Sequence, residues 1–264
     1  MTRSEGYYLI NPLLLDALEI PYSILSQESN PEEIINKAVA HIKEKNEPYA
    51  LLIRKDTFDK YKLINNAKTS YELSREEAIK TILNELNERD IVVSTTGMAS
   101  REVFEHREEK KQGHNKDFLT VGSMGHSSSI ALGIALSKPD RQIYCLDGDG
   151  AALMHLGSMA IIGQKAPKNF KHIILNNGAH DSVGGQPTAG FDIDFPSIAK
   201  ACGYTSVLNA ETTNEIREKI KLLIRNEGPS LLEIKINKGH RENLGRPTKT
   251  PLENKKEFMD NLKK

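Results

Sequence analysis

From Ser74 onward, short apolar runs alternate with segments of helical spacing, and this alternation constrains the fold more than any other feature of the chain. The strand-like runs are Ile91 to Ser94, Phe118 to Val121, Gln142 to Leu146, His172 to Leu175 and Ser230 to Ile236. Between them lie helical stretches at Ser127 to Leu136, Ala151 to Ile162, Phe195 to Cys202 and Thr213 to Ile224. A strand that must pass through a helix before the next strand begins cannot form a hairpin with it. The crossover carries the chain back to the starting end, so the strands pair in parallel and the helices cover both faces. The expected fold class is therefore α/β, a mostly parallel sheet flanked by helices on both faces. Ser74-Arg75-Glu76-Glu77 has capping-box spacing and opens a helix with Ile79, Ile82, Leu83 and Leu86 on one face. In such sheets ligands bind beyond the carboxyl ends of the strands. The turns found there are the places to look for chemistry.

Residues 1–66 do not share this pattern. Pro31 opens a helical segment with Ile34, Ile35, Ala38 and Ile42 at helical spacing, and Tyr49 to Arg54 is a short apolar run suited to a buried strand. The polar stretch from Asp56 to Tyr71 is a candidate linker, and the tail beyond Lys238 is rich in Lys, Glu, Asn and Pro and is expected to be solvated. A chain of 264 residues is long enough for one large α/β domain, or for one such domain plus part of another. Three regions are expected: 1–66, a main domain at 67–240, and a polar arm at 241–264.

Charge excludes some partners. The 36 basic residues balance the 36 acidic ones, so no bulk field draws the chain to nucleic acid or to an anionic membrane. No run approaches the roughly 18 apolar residues of a membrane span, and Met1 to Gly6 has no secretory pattern. A cytoplasmic location is expected. Cys145 and Cys202 are read as reduced, buried thiols, and two cysteines fall short of the usual set for an iron–sulfur cluster.

The central motif is Leu146-Asp147-Gly148-Asp149-Gly150-Ala151, where a strand runs into a turn and then an apolar helix. Glycines on both sides of Asp149 let backbone N–H groups approach a bulky anion, and the carboxylate between them suits a divalent cation lying against that anion. After residues 151 to 175 comes Asn176-Asn177-Gly178-Ala179-His180, again at the end of an apolar strand. An amide oxygen and a backbone carbonyl are hard, neutral ligands that complete a Mg²⁺ octahedron with phosphate oxygens and water.

Gly-Asp-Gly followed at this distance by Asn-Asn resembles the signature of thiamine-diphosphate enzymes. The resemblance extends to Gly122-Ser123-Met124-Gly125-His126, to Thr95-Thr96-Gly97-Met98-Ala99-Ser100-Arg101 and to the run from 176 to 188, which together are most similar to phosphonopyruvate decarboxylases. It implies a thiamine-diphosphate-binding fold and the cofactors thiamine diphosphate and Mg²⁺. The metal would be held by Asp149, Asn177 and Ala179. Thr96, Gly97, Gly148, Gly150, Ala151 and His180 would line the cofactor, with Gly122 and Met124 supporting its bent rings. Arg101, His126 and His180, near motif ends, are candidate contacts or proton carriers for a small 2-oxoacid substrate. The implied reaction is decarboxylation of phosphonopyruvate to phosphonoacetaldehyde, a step of phosphonate biosynthesis.

Residues 11–66 resemble the last part of that family's pyrimidine-binding domain, with Asn11 to Tyr22 in the expected place, so the region 1–66 is expected to be the C-terminal remnant of such a domain. Glu5, Asp16, Glu19 and Glu28 do not lie in surroundings like those of the family's glutamate that bonds the pyrimidine ring. A complementary pyrimidine-binding chain, in a hetero-oligomer, or a homo-oligomer is expected. Two other readings remain open. Sulfopyruvate decarboxylases can place the two cofactor-binding domains on separate chains, and the chain could also be a cofactor-binding subunit without activity of its own. Ferredoxin-linked oxidoreductase subunits share the Gly-Asp-Gly logic, but their usual cysteine set is missing here.

Overall fold

The computed structural model describes residues 3–59 and 69–263, with side chains from residue 10 onward. The chain divides into two compact units, 1–66 and 67–264. Residues 60–68, most of the candidate linker, lie outside the described residues.

The first unit runs α1 (Arg3–Ala17), β1 (Tyr22–Leu25), α2 (Pro31–Lys45) and β2 (Ala50–Ile53). Asn30 caps α2 by accepting from the Glu33 N–H, and Pro31 occupies the first turn, where a missing N–H costs nothing. β1 and β2 pair in parallel with Tyr22 opposite Ala50. The sequence reading expects a buried strand at 49–54 and an apolar face on α2. Instead Leu51 and Ile53 are 38% and 49% exposed, and Ile35 and Ile42 are 48% and 47% exposed. The strand forms where its apolar run lies, but a two-stranded sheet has too little surface to bury what its residues offer.

The second unit runs α3 (Arg75–Glu85), β3 (Ile91–Ser94), α4 (Met98–Glu109), β4 (Asp117–Leu119), α5 (Ser127–Ser137), β5 (Ile143–Gly148), α6 (Asp149–Met154), α7 (Ser158–Lys165) and β6 (Phe170–Asn176). It continues with the short pair β7 (Ala179–His180) and β8 (Gln186–Pro187), then α8 (Phe195–Ala201), β9 (Ser206–Ala210), α9 (Thr213–Arg225), β10 (Ser230–Lys235) and α10 (Pro251–Leu262). Six strands form one all-parallel sheet in the order β4-β3-β5-β6-β10-β9. This is the α/β architecture expected from the alternation. Strand residues alternate between two cores. Val92, Tyr144 and Leu146 pack with Ile79, Val103 and Ile220 on one face, while Val93, Cys145 and Ile174 pack with Ala131, Met159 and Phe195 on the other. From β3 the chain moves outward to β4 and then returns to place β5 on the opposite side. That reversal opens a crevice beyond the carboxyl ends of β3 and β5.

Three expectations need correction. The helix expected at 151–162 is two helices, α6 and α7, broken at His155, whose φ of −132° is not helical, and at the following residues Leu156 and Gly157. Strand β9 and helix α4 escaped the sequence reading. The tail expected to be solvated from 241 to 264 contains α10, opened by a capping box at Thr250 and anchored by Phe258, which is 1% exposed and meets Phe118 edge-on at 5.4 Å. Asn254 of α10 accepts from the Leu119 N–H at 3.2 Å and donates to the Asp117 carbonyl at 3.0 Å. It thereby satisfies the outer edge of β4, which would otherwise be bare.

Both cysteines are free, Cys145 buried and Cys202 half-buried. Among the described residues no helix is long and apolar enough to cross a membrane.

Candidate functional site

Three strand ends build one pocket. β3 delivers Thr95 and Thr96 ahead of α4, β5 delivers Gly148 and Asp149 ahead of α6, and β6 delivers Asn177, Ala179 and His180. Met124 enters from the turn after β4. The structure therefore brings together Thr96, Met124, Gly148, Asp149, Gly150, Ala151, Asn177, Ala179 and His180. Gly97 and Gly122 flank them. Gly97 precedes α4 with φ 101°, and the Gly122 N–H donates to the Thr96 hydroxyl at 3.1 Å, tying the Met124 turn to the β3 end.

The structure does not bring in two of the candidate substrate residues. His126 is exposed and outside the lining, its ring 4.2 Å from that of His155 and its Nδ1 donating to the Ser123 carbonyl at 3.1 Å. Arg101 lies on α4 outside the lining. Conversely, Arg75, Thr95, Asp181 and Ser182 do line the pocket without having been singled out. Asp181 and Ser182 follow His180 in the quoted motif run, a signal that could have marked them. Arg75 is separated from that run by a hundred residues of chain and gives no local sign.

Asp149 is 1% exposed, and burial pushes its carboxyl above the usual carboxylate range. Its oxygens accept from neutral donors, the Thr188 hydroxyl and, at 3.4 Å, the Asn177 N–H. Backbone proximity here is tight. A Cβ on Gly190 would lie 2.5 Å from Asp149 Oδ2, and one on Gly150 would lie 2.4 Å from His180 Cε1. Only glycine lets the carboxylate and the imidazole sit where they do. Beneath the turn, Asp147 accepts from the Gly148 N–H at 3.1 Å and from His172 at 3.4 Å, and Tyr204 donates to the other ring nitrogen of His172 at 3.2 Å.

The donor set fits a metal-bound diphosphate. Gly97 ahead of α4 offers no side-chain cap, so the first N–H groups of that helix are available to an anion. Thr95 Oγ1 is buried in the same pocket without a partner. A buried carboxylate met only by neutral donors calls for a cation, and the asparagine and backbone oxygens beside it are ligands that Mg²⁺ accepts.

Comparison with known proteins agrees with this chemistry. The C-terminal TPP binding domain of thiamine pyrophosphate enzymes matches residues 95–234. A phosphonopyruvate decarboxylase of Streptomyces viridochromogenes is 38% identical over 185 residues, 70% of this chain and 45% of the relative. The chain thus spans less than half the length of that relative. A sulfopyruvate decarboxylase subunit beta of Methanococcus maripaludis is also 38% identical, over 73% of this chain and 100% of that subunit. In fold, a thiamine diphosphate-dependent 4-hydroxybenzoylformate decarboxylase of Rhodococcus jostii superposes with a TM-score of 0.51 at 20% identity, covering 71% of this chain and 37% of that one. With its domain match spanning the three strand ends that build the pocket, the chain belongs to the thiamine pyrophosphate enzymes and carries their C-terminal cofactor-binding domain.

Proposed function

We propose that the chain holds Mg²⁺ and thiamine diphosphate in the pocket beyond β3, β5 and β6, and that together with a complementary pyrimidine-binding chain it decarboxylates phosphonopyruvate to phosphonoacetaldehyde in the cytoplasm. The observation that carries this reading is that Asp149, Asn177 and Ala179, from two different strand ends, line one pocket. Thiamine diphosphate, when bound, supplies the electron sink for loss of CO₂. In this reading Asp149, the Asn177 amide oxygen and the Ala179 carbonyl hold the metal. The N–H groups around Thr96, Gly97, Gly148, Gly150 and Ala151 receive the diphosphate. Met124, with the Gly122 backbone, supports the rings. His180, set against Gly150 inside the pocket, is placed to contact the 2-oxoacid or carry a proton, and His126 and Arg101, outside the lining, are the weaker candidates.

The test is calorimetry of thiamine diphosphate binding with and without Mg²⁺. Asp149→Ala removes the one charged ligand, and loss of metal-dependent binding is expected. Unchanged binding in that variant refutes the metal assignment.

A second reading has its own support, because the match to the sulfopyruvate decarboxylase subunit beta covers that whole subunit. It implies a hetero-oligomer with the same cofactor site and a sulfonate in place of the phosphonate. Comparing turnover of the two substrates by the completed enzyme separates the two readings.

A further inference from the structure

Asn177 is 4% exposed, and its amide has two ends of nearly the same shape. A half-turn about its terminal bond exchanges an oxygen, which can ligate a cation, for an NH₂ group, which cannot. Something must therefore decide which end faces the metal. Two neighbours agree on the answer. Asn177 Nδ2 donates to Asp181 Oδ2 at 2.7 Å, and Asn177 Oδ1 accepts from the Ala179 N–H at 3.1 Å. An ionised carboxylate only accepts, so it can be met only by the NH₂ end. The oxygen keeps its second lone pair for a ligand on the pocket side.

Asp181 is itself held firmly. Its Oδ2 also accepts from Arg75 NH1 and from the Gly239 N–H, each at 2.9 Å. Arg75 in turn forks onto Glu102, through Nε at 2.9 Å and NH2 at 3.0 Å. Glu102 and Arg75 are almost wholly buried, with side chains 1% and 8% exposed, and Asp181 is 8% exposed. One guanidinium thus joins two buried carboxylates, and the Asp181 one lies a single hydrogen bond from Asn177.

We infer that Asp181, fixed by Arg75, is a positioning residue for the metal site: it takes the NH₂ end of the Asn177 amide and so presents the oxygen to Mg²⁺. This rests on Asn177 being a metal ligand. Partners of this kind typically alter metal affinity about 10- to 100-fold when removed.

The test uses the full chain with Mg²⁺ and thiamine diphosphate in calorimetry, and Mn²⁺ with thiamine diphosphate in electron paramagnetic resonance. Asp181→Ala is expected to weaken the metal about 10- to 100-fold. Asp181→Asn, which keeps one oxygen toward Arg75 and Asn177, recovers part of the loss. The decisive comparison is made in an Asn177→Asp background, where the ligand has no wrong end. There Asp181→Ala should no longer weaken the metal, because nothing needs orienting and a repulsive neighbour has been removed. Equal loss in both backgrounds means that Asp181 supports the fold alone and overturns the inference, as does unchanged affinity in the wild-type background. If Asn177→Asp abolishes binding, the pair Asp181→Ala and Asp181→Asn decides, and equal loss in both overturns it. Absence of metal-dependent binding in the wild-type chain refutes instead the underlying cofactor reading.

Discussion

At the scale of single residues, the site separates into what local sequence announces and what only folding reveals. The place of Asp149 and Asn177 in the pocket was legible because each sits in a glycine-bearing turn directly after an apolar run. The pairing of Arg75 with Asp181 was not, because it joins the start of α3 to the turn after β7, and no spacing rule encodes a contact across so many residues. His126 was read as a candidate from motif proximity alone, and the left-handed turn at Ser123 and Gly125 carries its ring outward to His155. Met124 lies in the lining, so a variant can separate its proposed role from plain packing. Met124→Ala is expected to lower turnover of the completed enzyme about tenfold or more while changing thiamine diphosphate affinity less, because an interaction that shapes the reacting rings acts mainly on the barrier. Steady-state kinetics beside calorimetry checks this. A larger loss in affinity with normal turnover at saturation makes Met124 ordinary core.

At the scale of elements, the central strands and their helices were readable because β3, β5, β6 and β10 are buried on both faces and each holds a run of apolar residues. α10 was unreadable for the opposite reason. Its buried side chains are one ring and one amide on a helix rich in charged residues, which composition alone reports as solvated. That amide gives a clean prediction. Asn254→Ala removes both hydrogen bonds to the outer edge of β4, and leaving buried backbone groups unpaired costs about 1–3 kcal/mol. Urea denaturation should show that loss, while Mg²⁺-dependent binding of thiamine diphosphate stays at the wild-type value because β4 contributes no proposed ligand. A variant as stable as the wild type means that water serves the edge equally well.

At the scale of the whole molecule, the chain carries a cofactor-binding unit with two complete core layers and a small unit whose two strands leave Ile24, Leu51 and Ile53 exposed. The proposal of a complementary chain predicts that the protein alone, saturated with Mg²⁺ and thiamine diphosphate, decarboxylates phosphonopyruvate slowly. Missing proton-transfer assistance typically costs about 10² to 10⁴ in rate. A coupled assay for phosphonoacetaldehyde, run first on the chain alone and then with a pyrimidine-binding chain supplied, should show that rise. Turnover near about one per second from the chain alone, within the ordinary enzyme range, contradicts the need for a partner. The strand order carries a consequence for synthesis. β9 touches the sheet only through β10, and β6 gains its second neighbour only from β10, although both are made earlier. While the ribosome has yet to pass residue 235, the metal-binding turns already exist but the sheet that aims them lacks one flank. A message cut short by a stop codon before β10 therefore yields not a weaker cofactor binder but a chain with a bare central edge, fit for proteolysis.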